Sequence, residues 1–367
     1  MAEPLKNLYS PSFFNHLGDL LAELIPDFSK NTFIEDIHDN DWEDRELKER
    51  MVHIANVLHC HFPGEYKKSV QVILNLTQSV SNSPLADHNF EFIFLPTYIE
   101  GYGLEHYEES IEAMESLTQF ISCEFAVRPF ILKYPDRMMV QMELWALHEN
   151  HHVRRLASEG CRPRLPWASA LNEFKKDPAP ILPILETLKS DSSEYVRRSV
   201  ANNLNDIAKD HPDLVLDICQ QWIGESKETD RLVKHACRTL LKRAHPKALA
   251  MFGYDEPTGV QITDFKHDQK VKIGGGFNFG FTIIYNKNKS KKLRIEYGID
   301  YLKSNGSQNR KIFKLSDLVF KAENRSKFSR SQSFRNMTTR KHYTGQHKIV
   351  IIVNGKEMAS GEFEVVG

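Results

Sequence analysis

Apolar residues recur at helical spacing through the first two thirds of the chain. Met51, Ile54 and Leu58 fall three or four positions apart, and comparable spacing continues to about residue 250. This period is typical of amphipathic helices. Proline-containing turns at residues 211–212 and 245–246 separate neighbouring apolar runs. The pattern therefore predicts antiparallel helices with short connections, forming an all-α domain over residues 1–253.

After residue 253 the pattern changes to β-branched and aromatic runs broken by Gly, Asn and Ser. Residues 279–285 and 348–353 are such runs, and the tail 362–365 alternates apolar and polar positions. About seven short strands in the last stretch of the chain predict a small all-β immunoglobulin-like antiparallel sandwich over residues 254–367. Residues 274–276 are predicted to form a hairpin turn, and residues 325–331 a flexible basic loop able to touch phosphates.

The helical part contains an internal repeat. Val153-Arg154-Arg155 recurs 43 residues later as Val196-Arg197-Arg198, and a weaker copy, Val233-Lys234-His235, follows after 37 residues. A period of this length in helical pairs predicts a HEAT-like solenoid, in which each repeat packs on its neighbours. Each copy is interpreted as the start of a repeat's second helix, so the solenoid would present cations on one face.

Net charge is unevenly distributed between the two predicted domains. Across all 367 residues it is −1, but residues 255–367 hold 21 lysines and arginines against 11 acids, a net of +10, which leaves −11 for the rest. A basic domain can hold a polyanion such as nucleic acid, because each neutralised phosphate releases counterions. A soluble surface of one sign is the alternative explanation.

The densest group of cations in the helical part lies within residues 151–167, around the single acid Glu159. Arginine can bind phosphate oxygens with two hydrogen bonds, and Trp167 adds an aromatic face for a cationic or stacked base. A carboxylate on such a surface repels phosphate unless it stabilises positive charge that develops on the ligand. Cleavage of a glycosidic bond creates such charge on the sugar.

A polar stripe is predicted on the second helix of the next repeat. Arg198, Asn202 and Asp206 are spaced i, i+4, i+8, and Arg155 with Glu159 repeats the i, i+4 pair one repeat earlier. The asparagines of this segment are poor helix formers, so an interaction beyond local propensity must favour them. One alternative is an internal ladder of Asp, Asn and Arg that joins neighbouring repeats.

Three segments of the helical part resemble the AlkC branch of the HEAT-like DNA glycosylases, which is related to the AlkD branch. They are residues 125–130 (FAVRPF), the run from His152-Val153-Arg154-Arg155 to Trp167, and the run from Glu194 through Asp206 to Pro212. The C-terminal part is similar to the immunoglobulin-like extension of the longer members. The matching segments there are 271–275, 313–315, Thr338-Thr339-Arg340-Lys341 and 353–355.

The resemblance implies hydrolytic release of cationic alkylated bases, chiefly N3-methyladenine and N3-methylcytosine, from duplex DNA in base excision repair, without base flipping. Carried over by motif, Glu159, Glu124 and Asp206 would be the catalytic carboxylates, and Trp167 would contact the lesion. The residues expected to bind DNA are His152, Arg154, Arg155, Arg162, Arg164, Arg197, Arg198, Asn202, Lys209, Lys234, His235, Arg340 and Lys341.

Each carried-over role has a structural alternative. Glu124 could pair with Arg128 at i+4, Asp206 with Lys209 at i+3, and Trp167 could be an aromatic that packs between repeats. At the level of the whole chain, the alternative function is a HEAT-repeat scaffold that binds DNA or protein without catalysis.

No cofactor and no metal site are expected. The cysteines form no CxxC pair, and His59, His61 and the histidines near residue 150 lack the spacing and partners of a zinc set. The sequence contains neither a signal-like leader nor an apolar run long enough for a membrane span. A cytoplasmic monomer acting on alkylated double-stranded DNA, without contact to membranes, is the expectation.

Overall fold

A computed structural model describes residues 4–337 and 340–367 of the chain. Residues 1–3, which belong to the segment inspected for a leader, and Thr338 and Thr339 of the C-terminal motif lie outside the described residues. The helices are α1 Pro11–Leu24, α2 Lys30–Ile37, α3 Leu47–His61, α4 Tyr66–Val80, α5 Phe94–Tyr102, α6 Tyr107–Leu117, α7 Val127–Lys133, α8 Pro135–Ala146, α9 His151–Gly160, α10 Asn172–Lys176, α11 Leu182–Leu188, α12 Glu194–Ile207, α13 Pro212–Trp222, α14 Lys227–Ala236, α15 Arg238–Lys242 and α16 Pro246–Met251.

Local sequence explains where the site-bearing helix α9 begins and how closely it packs. Asn150 caps its N-terminus, because the side-chain oxygen accepts a hydrogen bond from the backbone N–H of His152 at 2.8 Å. Gly160 ends the helix, and a Cβ there would lie 2.5 Å from a methyl carbon of Val127. The absence of a side chain thus permits α9 to approach α7 closely, which brings the segment before α7 next to α9.

The helices form a two-layered solenoid, as predicted. Helices α9, α12 and α14 pack side by side in one layer, while α8 and α11 pack against them from the other. Two compact units result: one runs to His211 and includes Trp222–Ala236, and the other comprises Pro212–Gln221 and Cys237–Gly367. Each unit combines two separate stretches of the chain. The domain boundary between residues 253 and 254 therefore stays a prediction.

The third copy of the repeat motif does not occupy the predicted position. Lys234 and His235 lie in the last turn of α14, which begins at Lys227, whereas the first two copies open α9 and α12. The residue that matches Arg155 and Arg198 by its place in the helix is Arg231. Each of the three follows the first residue of its helix by four positions.

The C-terminal domain is immunoglobulin-like and contains two β-sheets. Its described strands are β1 Val260–His267, β2 Lys270–Lys272, β3 Gly276–Tyr285, β4 Lys291–Leu302, β5 Gln308–Phe320, β6 Asn324–Ser333, β7 Gly345–Val353 and β8 Lys356–Val366. One sheet has the order β1-β3-β6 and the other β2-β8-β7-β4-β5. The pairing of β2 with β8 is parallel, so the topology is mixed and not the purely antiparallel sandwich that was expected.

Apolar residues of both sheets form the core of this domain. Phe277, Phe279 and Phe281 on β3 are buried at every second position, which is the period of a strand with one face in the core. On β7, Ile349, Val350 and Ile351 are buried in succession.

Two local expectations for this domain are wrong. Residues 325–331 are not a loop but part of β6, because their backbone pairs with β3 from Asn324 to Ser333 while Phe328 stacks on Phe281 at 5.4 Å. Serine and basic side chains at the other positions concealed the strand. Residues 274–276 do not form a hairpin, since β2 and β3 belong to different sheets.

Among the described residues, no helix is long and apolar enough to cross a membrane.

Candidate active site

Arg155 on α9 connects two of the predicted carboxylates. Its guanidinium donates to Glu124 and, at 2.7 Å, to the hydroxyl of Ser122, and its other terminal nitrogen lies 3.4 Å from Oε1 of Glu159. Tyr195 covers the guanidinium, with its ring centroid 4.9 Å from the central carbon. Glu124 therefore pairs with Arg155 and not with Arg128, as the alternative interpretation would have it.

Glu159 is held at both of its oxygens. Oε1 accepts a hydrogen bond from Arg162 at 2.6 Å, and Oε2 accepts one from the hydroxyl of Ser199 on α12 at 2.6 Å. That hydroxyl in turn accepts one from Ser158 at 2.7 Å. Because the side chain of Glu159 is 6% exposed, this network fixes the orientation of its carboxylate.

Asp206 lies deeper and is also fully engaged. Arg162 donates to its Oδ2 from Nε at 2.9 Å, and Lys209 donates to Oδ1 at 2.8 Å. The Lys209 contact is the i+3 ion pair that was considered as an alternative. Arg162 thus lies between Glu159 and Asp206, and the carboxylates of α9 and α12 share one buried cation.

The arginines of this cluster are stabilised as cations. Burial disfavours the charge of Arg155, but Glu159 and Glu124 outweigh it and raise the pKa of this arginine above its ordinary value. Burial likewise opposes the charge of Arg162, and Glu159 with Asp206 raises its pKa. Opposite charges at hydrogen-bond distance have this effect in a medium of low polarity. The site is therefore a charged network that persists without a ligand.

The loop after α9 presents Trp167 at the surface. The side chain is 56% exposed, so Trp167 does not pack between repeats, and its backbone has a positive φ of 67°. Arg128, buried beneath the loop, donates to the carbonyls of Gly160, Arg162 and Ser169 at 2.6–3.1 Å. Lys48 donates to the carbonyl of Trp167 itself. These contacts fix the loop that carries the exposed aromatic ring.

Several of the predicted DNA-binding arginines already have partners in the protein. Arg154 donates to both oxygens of Asp191, at 2.6 and 3.0 Å. Arg164 forms hydrogen bonds of 2.6 and 2.7 Å with Asp210, and Arg197 donates to the backbone carbonyl of Asp191 at 2.5 Å. The contacts of Arg154 and Arg164 join neighbouring repeats, whereas that of Arg197 is local to the start of α12. A DNA contact for the three arginines stays a prediction.

Two arginines of the same helical layer are available to a ligand. Arg198 on α12 and Arg231 on α14 are exposed, and neither forms a hydrogen bond or ion pair with any described residue. Together with Arg197 and His235 they line a surface cavity of about 170 Å³. Arg231 was missed in the sequence because the third repeat was aligned on Val233.

The remaining predicted DNA-binding residues are distributed over both parts of the chain. The ring of His152 meets that of Tyr195 edge-on, with centroids 5.8 Å apart. Burial, with smaller effects from His151 and Arg155, lowers the pKa of the His152 imidazole. Asn202 and His235 form a hydrogen bond of 3.0 Å. Lys234 lies on α14, whereas Arg340, over the ring of Tyr301 at 5.8 Å, and the exposed Lys341 belong to the C-terminal domain.

The internal-ladder interpretation applies to Asn202 of the predicted stripe, whose hydrogen bond to His235 joins α12 to α14, and also to its neighbour Asn203. Asn203 is fully buried and donates to the carbonyl of Ser158 at 2.8 Å, which joins α12 to α9. Ser199 could not have been assigned from sequence, because nothing in its spacing distinguishes it from an ordinary helical serine. Arg128 stood in a quoted motif, but its backbone partners are more than 30 residues away.

Two family models match separate parts of the chain. The model of the DNA alkylation repair enzymes matches residues 103–240, which include the carboxylate cluster. The model of the C-terminal Ig-like domain of the uncharacterised protein YhaZ matches residues 261–367.

The chain is similar over its whole length to known proteins. The chain is 41% identical over 362 residues to the uncharacterized protein YhaZ of Bacillus subtilis (strain 168), covering 98% of this chain and 99% of YhaZ. It is also similar to a solved structure from Pseudomonas fluorescens, the alkylpurine DNA glycosylase AlkC bound to DNA containing an abasic site analog. That structure has a TM-score of 0.93 and 35% identity, with complete coverage of both chains.

Proposed function

Because this chain belongs to the AlkC-type family of DNA alkylation repair enzymes, we propose that it is a DNA glycosylase. Its substrates are cationic alkylated bases in duplex DNA, chiefly N3-methyladenine and N3-methylcytosine, and it releases them by hydrolysis in base excision repair. The observation that carries the proposal is the placement of Glu124 and Glu159 on either side of Arg155, with Trp167 exposed on the loop that follows α9.

The alkylated base is a good leaving group and needs little assistance from the protein. A base alkylated at N3 carries a positive charge and becomes neutral when the glycosidic bond breaks, so no general acid is required. Positive charge moves to the sugar in an oxocarbenium-like transition state. Fixed carboxylates near the sugar stabilise that charge, and their preorganisation avoids the cost of reorienting solvent.

Glu124 and Glu159 are proposed to divide this work. Glu159, with both oxygens occupied, acts as the fixed anion. On Glu124, Oε2 accepts from Ser122 and Arg155, while Oε1 receives no hydrogen bond from any described residue. A free, partly exposed carboxylate oxygen can accept a hydrogen bond from water, so Glu124 positions the attacking water and takes its proton. Asp206 positions Arg162 and does not itself touch the substrate.

DNA binding is proposed to extend along the helices that carry these residues. Arg198 and Arg231 have no partner of their own and lie along the layer that begins with Arg155, so they are suited to contact successive phosphates. In this proposal Trp167 contacts the lesion at the surface of the duplex, and the base is not flipped. The C-terminal domain, with its net charge of +10 in residues 255–367, adds contacts through Arg340 and Lys341.

Release of free methylated bases tests this function. The full-length protein is incubated with methylated duplex DNA, and the supernatant is analysed for N3-methyladenine and N3-methylcytosine. Wild type is expected to release both, and Glu159→Gln at equal DNA occupancy is expected to release neither. A well-folded wild type that binds the DNA but releases no base would instead identify a non-catalytic scaffold.

The salt dependence of DNA binding tests the phosphate contacts. Each phosphate contact contributes about 0.9 to the slope of log K against log salt concentration. Arg198→Gln and Arg231→Gln are each expected to lower the slope by about 0.9, because their guanidinium groups are free to bind phosphate. Arg137→Gln, on α8 in the opposite layer and paired with Glu108, is the control and should leave the slope unchanged. An unchanged slope in both test variants would place the DNA elsewhere.

A further inference from the structure

A cavity adjoins the candidate active site on the side of Trp167 that faces α3 and α5. Its volume is about 430 Å³, and Phe125, Trp167, Met51 and Tyr102 contribute to its walls. This volume is within the range of about 300–1,000 Å³ that is usual for small-molecule sites. Phe125 follows Glu124 directly in the chain, so the segment before α7 contributes to both the cavity and the carboxylate cluster.

One carboxylate lines this cavity without a protein partner. Glu100, near the end of α5, is partly buried, and within the described part of the chain its side chain forms neither a hydrogen bond nor an ion pair. Burial raises the pKa of Glu100, and the charge of Lys48 opposes this effect. Leaving a partly desolvated carboxyl group without a partner costs free energy, which a ligand with N–H donors would recover.

The walls of the cavity are rigid. The ring of Tyr102 stacks on His59 with centroids 3.7 Å apart, and its hydroxyl donates to Asn56 at 2.9 Å. On the opposite side, Arg128 and Lys48 hold the loop that carries Trp167. A preformed cavity with aromatic walls binds a flat ligand without first having to be ordered.

From these observations we infer that the cavity is a binding site for a methylated nucleobase. The base lies between the aromatic walls and donates its exocyclic amino group to the carboxylate of Glu100. The inference rests on the proposed glycosylase function, which supplies such a base beside Trp167. The same chemistry has two sources: a base released by hydrolysis, which agrees with cleavage without base flipping, or a base still attached to the deoxyribose, which would have to be flipped out of the duplex and would contradict that part of the proposed function.

Calorimetric titration of the full-length protein with free 3-methyladenine, in the absence of DNA, tests the site. Saturable binding is expected with wild type. Glu100→Gln should weaken it about tenfold, since the charged acceptor of the hydrogen bond is replaced by a neutral one. Gly101→Leu should abolish it, because this glycine lines the cavity and a Cβ there meets no atom within 4 Å, so the variant can fold with the cavity filled. Glu112→Gln, an exposed carboxylate on α6, should bind as wild type does.

Competition distinguishes the two sources. A duplex containing 3-deaza-3-methyladenine, whose glycosidic bond resists hydrolysis, displaces the free base only if an attached base enters the cavity, and undamaged duplex serves as its control. Absent or non-saturable binding to wild type, or equal binding to wild type and Gly101→Leu, would overturn the inference. Because the titration involves no catalysis, it remains informative if no base is released from DNA, and base release without binding would refute this inference alone.

Discussion

Glu124→Gln is expected to reduce the rate of base release by about 100- to 1,000-fold, the usual effect of removing one preorganised electrostatic group from an active site. The glutamine keeps the size of the side chain and can still accept from Arg155, but its oxygen and nitrogen cannot take the proton of the attacking water. The rate is measured in single turnover with enzyme in excess, so that product release does not limit it.

Binding and folding serve as controls for this variant. Glu124 is the least buried of the three carboxylates, with a side chain that is 19% exposed, so the change should leave the urea midpoint near that of wild type. Affinity for undamaged duplex should stay the same or rise, because a negative charge near phosphate is removed. Glu124→Asp should recover part of the rate if a carboxylate is what matters. A Glu124→Gln enzyme of wild-type rate would assign the water to another group.

Sequence periodicity was sufficient for the architecture because the two parts of the chain have different periods. Helical spacing and the recurrence of Val-Arg-Arg at 43 residues predicted the solenoid, and β-branched runs such as 348–353 together with the alternating tail 362–365 predicted the sheets. Periodicity did not predict a strand whose own composition is polar and whose stability comes from pairing with a neighbour. Strand β6 contains serine and basic residues at most positions and is stabilised by its pairing with β3, which no local pattern records.

Charge and spacing in the sequence predicted only part of the candidate site. The sequence identified Arg155 and Glu159 because both lie on one helical face, four residues apart. It could not identify the partners that decide what each group can do, such as Ser199 on the neighbouring repeat or Glu100 in the cavity beside Trp167. These contacts join positions about 40 or more residues apart, and they depend on how the repeats stack.

Arg162→Met should destabilise the helical unit by about 3–5 kcal/mol, the typical cost of leaving buried charges without their partner. Arg162 is 6% exposed and is the shared partner of Glu159 and Asp206. Without it, two carboxylates remain close together in a medium of low polarity, and their repulsion adds to the desolvation. Methionine preserves most of the apolar volume, so the loss reports charge rather than packing. Urea unfolding followed by circular dichroism at a helical wavelength measures the change.

A matched control and a compensating substitution make this expectation specific. Arg164→Met, two residues away, removes a partner of Asp210 from a pair whose side chains are 32% and 29% exposed, so it should cost only about 0–1 kcal/mol. Adding Asp206→Asn to Arg162→Met should recover a large part of the stability, because one of the two carboxylates that have lost Arg162 becomes neutral. If Arg162→Met unfolds no more easily than Arg164→Met, the cluster is more hydrated than its burial indicates. Glu159 would then lack the fixed orientation on which its proposed electrostatic role depends.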